Sequence, residues 1–335
     1  MGDSATMRRT DPGLLRRQAI QLLLSKPRPQ GTMLGAVEFG TGAAEVFPPL
    51  VLAGADFTAQ LGVLDDLLAE RLKGDAGLRS LAAGFAAAAA ENPGRQAQIL
   101  IVDGANDTGP EPTAAEVAVP TYVVGVGVQQ GTPAAAQLDR LATESGGRFF
   151  ADVHADQLQA VLNDIDTDLA CETQIPVISA AAPAGSASAT PPPVTVAPGD
   201  TAAFTTAPLR PPSTGRPRLR SVSAVVSWHD RGTRFAVRAI DVRRPGARPL
   251  RIPASVLRRA LRRHRPVSFH QLLISARQGR TFIAVRLRGL RVSTPRVQAR
   301  AASLLATRIT IFVKRPRHGS GRGLRSQISG RWGPH

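Results

Sequence analysis

The sequence predicts an α/β protein: a doubly wound, mostly parallel sheet of Rossmann-like layout, followed by a mostly-β, sandwich-like second domain. Three observations predict it. Helical and strand patterns alternate through the first 170 residues, as a parallel sheet with crossover helices requires. Two short β-branched runs, Ile99 to Val102 and Tyr122 to Val126, end on Asp103-Gly104 and Gly127, which places loops at the C-terminal edge of buried strands. Charge divides the chain: residues 1–170 hold 12 Lys+Arg against 21 Asp+Glu, a net −9, and residues 171–335 hold 30 against 4, a net +26, which together make the +17 of the whole.

Length and composition fit this division. A chain of 335 residues is long enough for two domains, and 43% hydrophobic residues supply two cores. Aromatics are only 4%, so those cores are built mainly of Ala, Val and Leu. Cys171 is the single cysteine, so no intrachain disulfide forms. No apolar run is long enough to cross a bilayer, and the first residues lack the apolar stretch of a signal peptide.

The elements follow in order. Asp11-Pro12 opens a helix, with Leu15, Ala19, Leu22 and Leu23 on one stripe and Pro27 and Pro29 ending it. Met33 to Phe39 reads as a strand. Ala44 to Leu52 returns beside it as an edge hairpin whose pairing Pro48 and Pro49 limit. Phe57 to Leu68 is helical, and Leu78, Leu81 and Phe85 mark another helix that stops at Asn92-Pro93-Gly94. After the two buried strands, Thr132-Pro133 opens a helix closed by Gly146-Gly147. Arg148 to Phe150 is a short strand. Leu158, Val161, Leu162, Ile165 and Leu169 then form the stripe of the last helix, which His154 caps or precedes. Right-handed crossovers at each unit give the doubly wound arrangement.

Four phrases in this half resemble, in order, the von Willebrand factor type A domain. DSATMRRTDP is similar to the family's first metal loop and first helix, GTMLGAVEFG to its second strand, VDGANDTG to its third metal loop, and SGGRFF with the following helix to its end. The resemblance implies a ligand site at the strand edge, where a divalent cation is held by three loops and completed by an acidic side chain of a protein partner.

On that resemblance, the metal ligands are Ser4, Thr6 and Asp103, with Mg2+ or Mn2+ as the cofactor. The family's aspartate position falls on Gly2, with Asp3 beside it. The second loop has Gly74 where a threonine is expected and Asp75 next to it, so Asp3 and Asp75 are the substitute ligands. Two hydroxyls and one carboxylate leave half of an octahedral shell to water. Either these residues hold a weakened metal site, or Ser4 and Thr6 are loose terminal residues and Asp103 only caps a turn. Asn106 and Asp107 read as turn formers. The strand that precedes the first loop in the family is missing. Either another segment fills its place in the sheet, or the start codon is assigned too late, with the strand and an export signal upstream; of the two we expect the late start.

Residues 171–193, rich in Ala, Ser and Pro, read as a linker. Residues 194–314 contain several short strand patterns separated by turns and read as a basic β-sandwich-like domain. Within Thr281 to Leu287, Ile283, Val285 and Leu287 share one face and Phe282, Ala284 and Arg286 the other. Residues 315–335, rich in Gly and Arg, read as a disordered tail. Arg258, Arg259, Arg262, Arg263 and Arg265 surround Leu257 and Leu261 on a candidate helix and form a candidate polyanion contact. The six histidines share no metal-ligand or catalytic spacing, and Trp228 is expected in the sandwich core.

The expected function is non-enzymatic: protein binding, adhesion or scaffolding at the cell envelope of a GC-rich bacterium, through a degenerate metal-dependent adhesion site. The alternatives are a polyanion-binding protein acting through the basic half, or a type A subunit that partners an ATPase.

Overall fold

The computed structural model describes residues 1–25, 32–51, 57–72, 77–113, 117–179, 193–209, 218–228, 233–244, 248–263, 266–279, 281–289, 306, 308–317 and 323–333. The chain divides into two compact units, one of Met1–Leu24 and Arg28–Ile165, the other of Ser25–Pro27 and Asp166–His335.

The first unit carries α1 (Met7–Thr10), α2 (Leu15–Ser25), β1 (Met33–Phe39), β2 (Ala43–Val51), α3 (Phe57–Arg71), α4 (Leu81–Glu91), β3 (Gln98–Val102), β4 (Thr121–Val126), α5 (Pro133–Glu144), β5 (Arg148–Val153) and α6 (Leu158–Leu169), whose last turn passes into the second unit. β3, β4 and β5 form a parallel sheet in that order, with Leu100 opposite Val123 and Ile101 opposite Val124. Alternate residues of these strands feed two cores. Leu100, Val102 and Val123 pack with Leu81, Phe85, Leu138 and Leu141. Ile101, Val124 and Val126 pack with Ala19, Leu23, Leu158, Leu162 and Ile165. Successive strand side chains point to opposite faces, so helices cover both.

The sheet is less extensive than the sequence predicts. Among the described residues only these three strands are parallel, and β1 pairs with β2 as a separate antiparallel hairpin. The tight connection explains the direction: Gly40 N donates to Gly42 O at 2.7 Å, and so short a loop cannot carry a parallel crossover. The register slips around Gly35 and Pro48-Pro49. A β-carbon at Gly35 would lie 3.1 Å from Pro49 N, so the glycine makes room for the proline-induced bulge. Residues 1–3 run between the two sheets. Gly2 N donates to Ile101 O (2.7 Å), Asp3 N donates to Phe39 O (2.8 Å), and Gly2 forms a parallel bridge to Phe39. Extended backbone thus joins β1 to β3 at the end where the loops gather. The helix expected to include Leu78 starts at Leu81, because Ser80 caps it, its Oγ accepting from Ala83 N.

The second unit holds β6 (Thr173–Ile175), β7 (Val177–Ser179), β8 (Thr201–Thr206), β9 (Arg218–Ser227), β10 (Ala236–Arg243), β11 (Leu250–Pro253), α7 (Ala254–Arg263), β12 (Val267–Phe269), β13 (Leu272–Gln278), β14 (Phe282–Gly289), β15 (Arg308–Lys314) and β16 (Arg325–Gly333). They form a five-stranded sheet, β11-β10-β15-β8-β7, and a six-stranded sheet, β12-β13-β14-β9-β16-β6, antiparallel throughout. Phe204, Val242, Ile311 and Val313 from the first share one core with Val222, Val226, Ile283, Val285, Leu287 and Ile328 from the second. Trp228 is buried in it against Phe235, ring centroids 5.4 Å apart.

Two expectations about this half are corrected. The expected linker contributes β6 and β7, because Ile175 and Val177 bury their side chains in the sandwich core; residues 180–192 lie outside the described residues. The expected disordered tail contributes β16, which pairs with β9 from Arg325↔Ser227 to Gly333↔Arg218 and with β6 on its other edge. Composition misreads this strand because its glycines and arginines are polar and permissive. Ile328 is fully buried in the core, and the unpaired edge of β9 supplies backbone partners.

Candidate functional site

Three segments converge beyond the C-terminal end of β3: residues 3–11, which include α1, the loop from Asp103, and the stretch 77–80 that enters α4. The parallel sheet brings them together, since strand ends and helix starts meet at one edge. Ser4, Thr6 and Asp103, predicted together from the sequence, do meet. Ser4 Oγ donates to Asp103 Oδ1 at 3.0 Å and lies 3.0 Å from Thr6 Oγ1. Thr10 Oγ1, one turn further on, donates to Asp103 Oδ2 at 3.5 Å.

A further group, a cation, stands among them that sequence reasoning missed. Arg79 Nη1 donates to Thr6 Oγ1 at 2.6 Å and to Asp103 Oδ1 at 3.0 Å. Its Nη2 donates to Asp107 Oδ1 at 2.8 Å, and its Nε donates to Ala105 O at 2.9 Å. The Asp103 side chain is 0% exposed, Arg79 12% and Asp107 31%. The loops are tied as well as the side chains. Asp107 N and Thr108 N both donate to Arg79 O, Leu81 N donates to Asn106 Oδ1, and Asn106 Nδ2 donates to the carbonyls of Gly109 and Pro110. Asn106 and Asp107 therefore form the expected turn and also hold the entry to α4. The only sequence signal for Arg79 is a basic residue directly before the α4 cap in an acidic half. Nothing in the spacing tells which loop it reaches.

Of the predicted substitute ligands, Asp3 is not at this cluster. Asp3 turns inward. Its Oδ1 accepts from Arg16 Nη2 at 2.6 Å, and Arg16 Nη1 donates to Asp11 Oδ2 at 3.0 Å, all three side chains buried. Asp11 also accepts from Leu15 N (2.6 Å) and Arg16 N (3.0 Å), so it starts α2 as the sequence predicts. One residue of register separates Asp3 from Ser4, and in extended backbone that sends their side chains to opposite sides. Gly2, at the family's aspartate position, packs on β3: a β-carbon there would lie 3.1 Å from Ile101 O. Gly74 and Asp75 lie outside the described residues.

The oxygen set does not fit a divalent cation with Arg79 in place. Thr6 Oγ1 and Asp103 Oδ1 already accept from the guanidinium. A divalent ion about 4 Å from that charge would meet a repulsion near 8 kcal/mol at an effective dielectric of about 20, twice the unit-charge value. Among the described residues, no group of three or more His, Cys, Asp or Glu side chains is placed to hold a metal.

No family model matches the chain, and no curated protein matches it significantly. Solved structures do. The chain is similar to a von Willebrand factor type A protein from Catenulispora acidiphila, with 10% identity and a TM-score of 0.40 over 99% of this chain and 62% of that one. It is also similar to an aerotolerance-related membrane protein from Bacteroides fragilis, with 17% identity and a TM-score of 0.35 over 49% of this chain and 94% of that one. The chain thus spans about 62% of the length of the first of these. Identities this low do not carry site residues across, so the edge is read from its own side chains.

Proposed function

We propose that the chain is a non-enzymatic binding or scaffolding protein whose first unit, a von Willebrand type A-like module, engages a protein partner at the edge formed by Ser4, Thr6, Asp103 and Asp107. The single observation that carries this reading is the convergence of Ser4, Thr6 and Asp103 at the C-terminal end of a parallel strand. The ordered phrases of the sequence add to it. The hydroxyls at the edge face a carboxylate and a guanidinium, an arrangement suited to recognition by charge and hydrogen bonding. An envelope location follows from the family resemblance alone.

The test is affinity capture on the full chain from extracts of the source cell. We expect a partner retained by the wild-type chain and lost by Asp107→Arg, with far-UV circular dichroism unchanged. Asp107 is the most exposed of the charged groups there, so its reversal alters the surface most. Retention undiminished by Asp107→Arg would count against this edge as the binding site.

A second reading rests on α7. Val256, Leu257 and Ala260 bury one face of this helix in the sandwich core. Arg258, Arg259, Arg262 and Arg263 are exposed on the other, and none has an ion-pair partner among the described residues. Like charges at i,i+4 cost a few tenths of a kcal/mol per pair, so the row weakens the helix that carries it. It is suited to a polyanion. With duplex DNA as the probe, replacing all four arginines by serine is expected to flatten the slope of log K against log salt by up to about 3.6, at about 0.9 for each phosphate no longer neutralised. Equal slopes for the two chains would remove α7 from the account.

A further inference from the structure

We propose that the Arg79 guanidinium is the resident cation of this edge, so that the cluster of Ser4, Thr6, Asp103 and Asp107 is held by a side chain instead of a metal ion. This deepens the reading above and rests on it only in placing the ligand edge beside Asp103.

Charge gives the first reason. The Asp103 carboxylate is fully buried, and a buried anion needs a cation in contact with it. Arg79 supplies one at 3.0 Å and reaches Asp107 with its other amino group at 2.8 Å. Its planar fork suits this task, because it can bridge two carboxylates, a hydroxyl and a carbonyl at once. Four of its five N–H groups are used in that way.

Space gives the second. The guanidinium lies directly on Gly104: a β-carbon there would stand 2.7 Å from Arg79 Cζ and 2.8 Å from Nη2. The residue after the buried carboxylate is the one type that leaves room for the fork. The backbone at Arg79 is pinned too, by Asp107 N and Thr108 N on its carbonyl and by the bond from the next residue, Ser80 N, to Gly40 O. Arg79 is therefore built into the cluster from both ends of its side chain.

The consequence is testable with Mn2+ alone. The wild-type chain is expected to give no binding heat with Mn2+ and no change in Tm with Mn2+ or chelator. Arg79→Ala leaves Asp103 and Asp107 without a counter-charge around the vacated space. It is expected to lower Tm in chelator, to gain a saturable Mn2+ heat, and to recover Tm as Mn2+ is added. Asp103→Ala in that background should abolish the heat. Arg79→Gln keeps two N–H donors without the charge and serves where Arg79→Ala does not fold; it too should gain Mn2+ binding. The inference is overturned by a wild-type chain that binds Mn2+ in a manner Asp103→Ala abolishes. It is equally overturned by folded Arg79 variants that keep the wild-type Tm in chelator and ignore Mn2+. Neither result touches the partner reading, which stands or falls on capture by the Asp107→Arg chain.

Discussion

Arg16→Ala is expected to cost about 3–5 kcal/mol of folding stability in the first unit, the range for breaking a buried ion pair from one side. Arg16 is fully buried and bridges Asp3 at 2.6 Å and Asp11 at 3.0 Å. Its removal takes the guanidinium from two buried carboxylates at once. Both have backbone duties: Asp3 N closes on Phe39 O between the two sheets, and Asp11 accepts from the first N–H groups of α2. The damage therefore extends to the start of α2 and to the extended segment that joins β1 to β3. Asp3→Asn, which keeps an acceptor, should cost less.

The two units provide separate reporters. Both tryptophans, Trp228 and Trp332, lie in the second unit, whereas among the described residues all helices but α7 start in the first. Urea unfolding of Arg16→Ala should show the far-UV helical transition moved to lower denaturant while the tryptophan transition keeps its midpoint. A helical transition shifted by less than about 1 kcal/mol would contradict the buried-triad account.

Gly147→Ala is expected to cost about 3 kcal/mol or more, at the severe end of overpacking. The β-carbon would stand 1.9 Å from Thr121 O, 2.4 Å from Thr121 C and 2.7 Å from Thr121 N. Those are backbone atoms at the start of β4, and they cannot swing aside. Thr121 N donates to Ser145 Oγ, Gln98 Nε2 donates to Thr121 Oγ1, and Gly147 N closes the end of α5 on Ala142 O. The neighbouring Gly146 is the internal control. Its φ is +79° and a β-carbon there meets nothing within 4 Å, so Gly146→Ala should cost only the left-handed penalty of about 1–2 kcal/mol. Thermal unfolding of both single variants checks the order. Equal losses would mean that the strand moves to accept the methyl group.

That pair of glycines shows what was legible and what was not. Gly146-Gly147 reads from the sequence as a helix stop, and Gly146 fills that role by its positive φ. The tighter constraint belongs to Gly147 and comes from a strand more than twenty residues away. The site divides in the same way. Ser4, Thr6 and Asp103 were legible because short phrases place them at loops that a parallel sheet gathers. Asp3 was not, because its direction depends on one residue of register, and the buried Arg16 that takes it lies on a helix face with no special pattern.

Local chemistry and periodicity in this sequence determined the order of helices and strands, the acidic and basic halves, and the meeting of two hydroxyls with one carboxylate at a strand end. Those features depend on neighbours close along the chain or on repeating burial. Tertiary structure alone decided that a Gly- and Arg-rich tail completes a sheet, that three strands run parallel among the described residues, and that a guanidinium stands among the edge oxygens. Each of these depends on which distant segments share an edge or a pocket, and spacing along the chain carries no record of that.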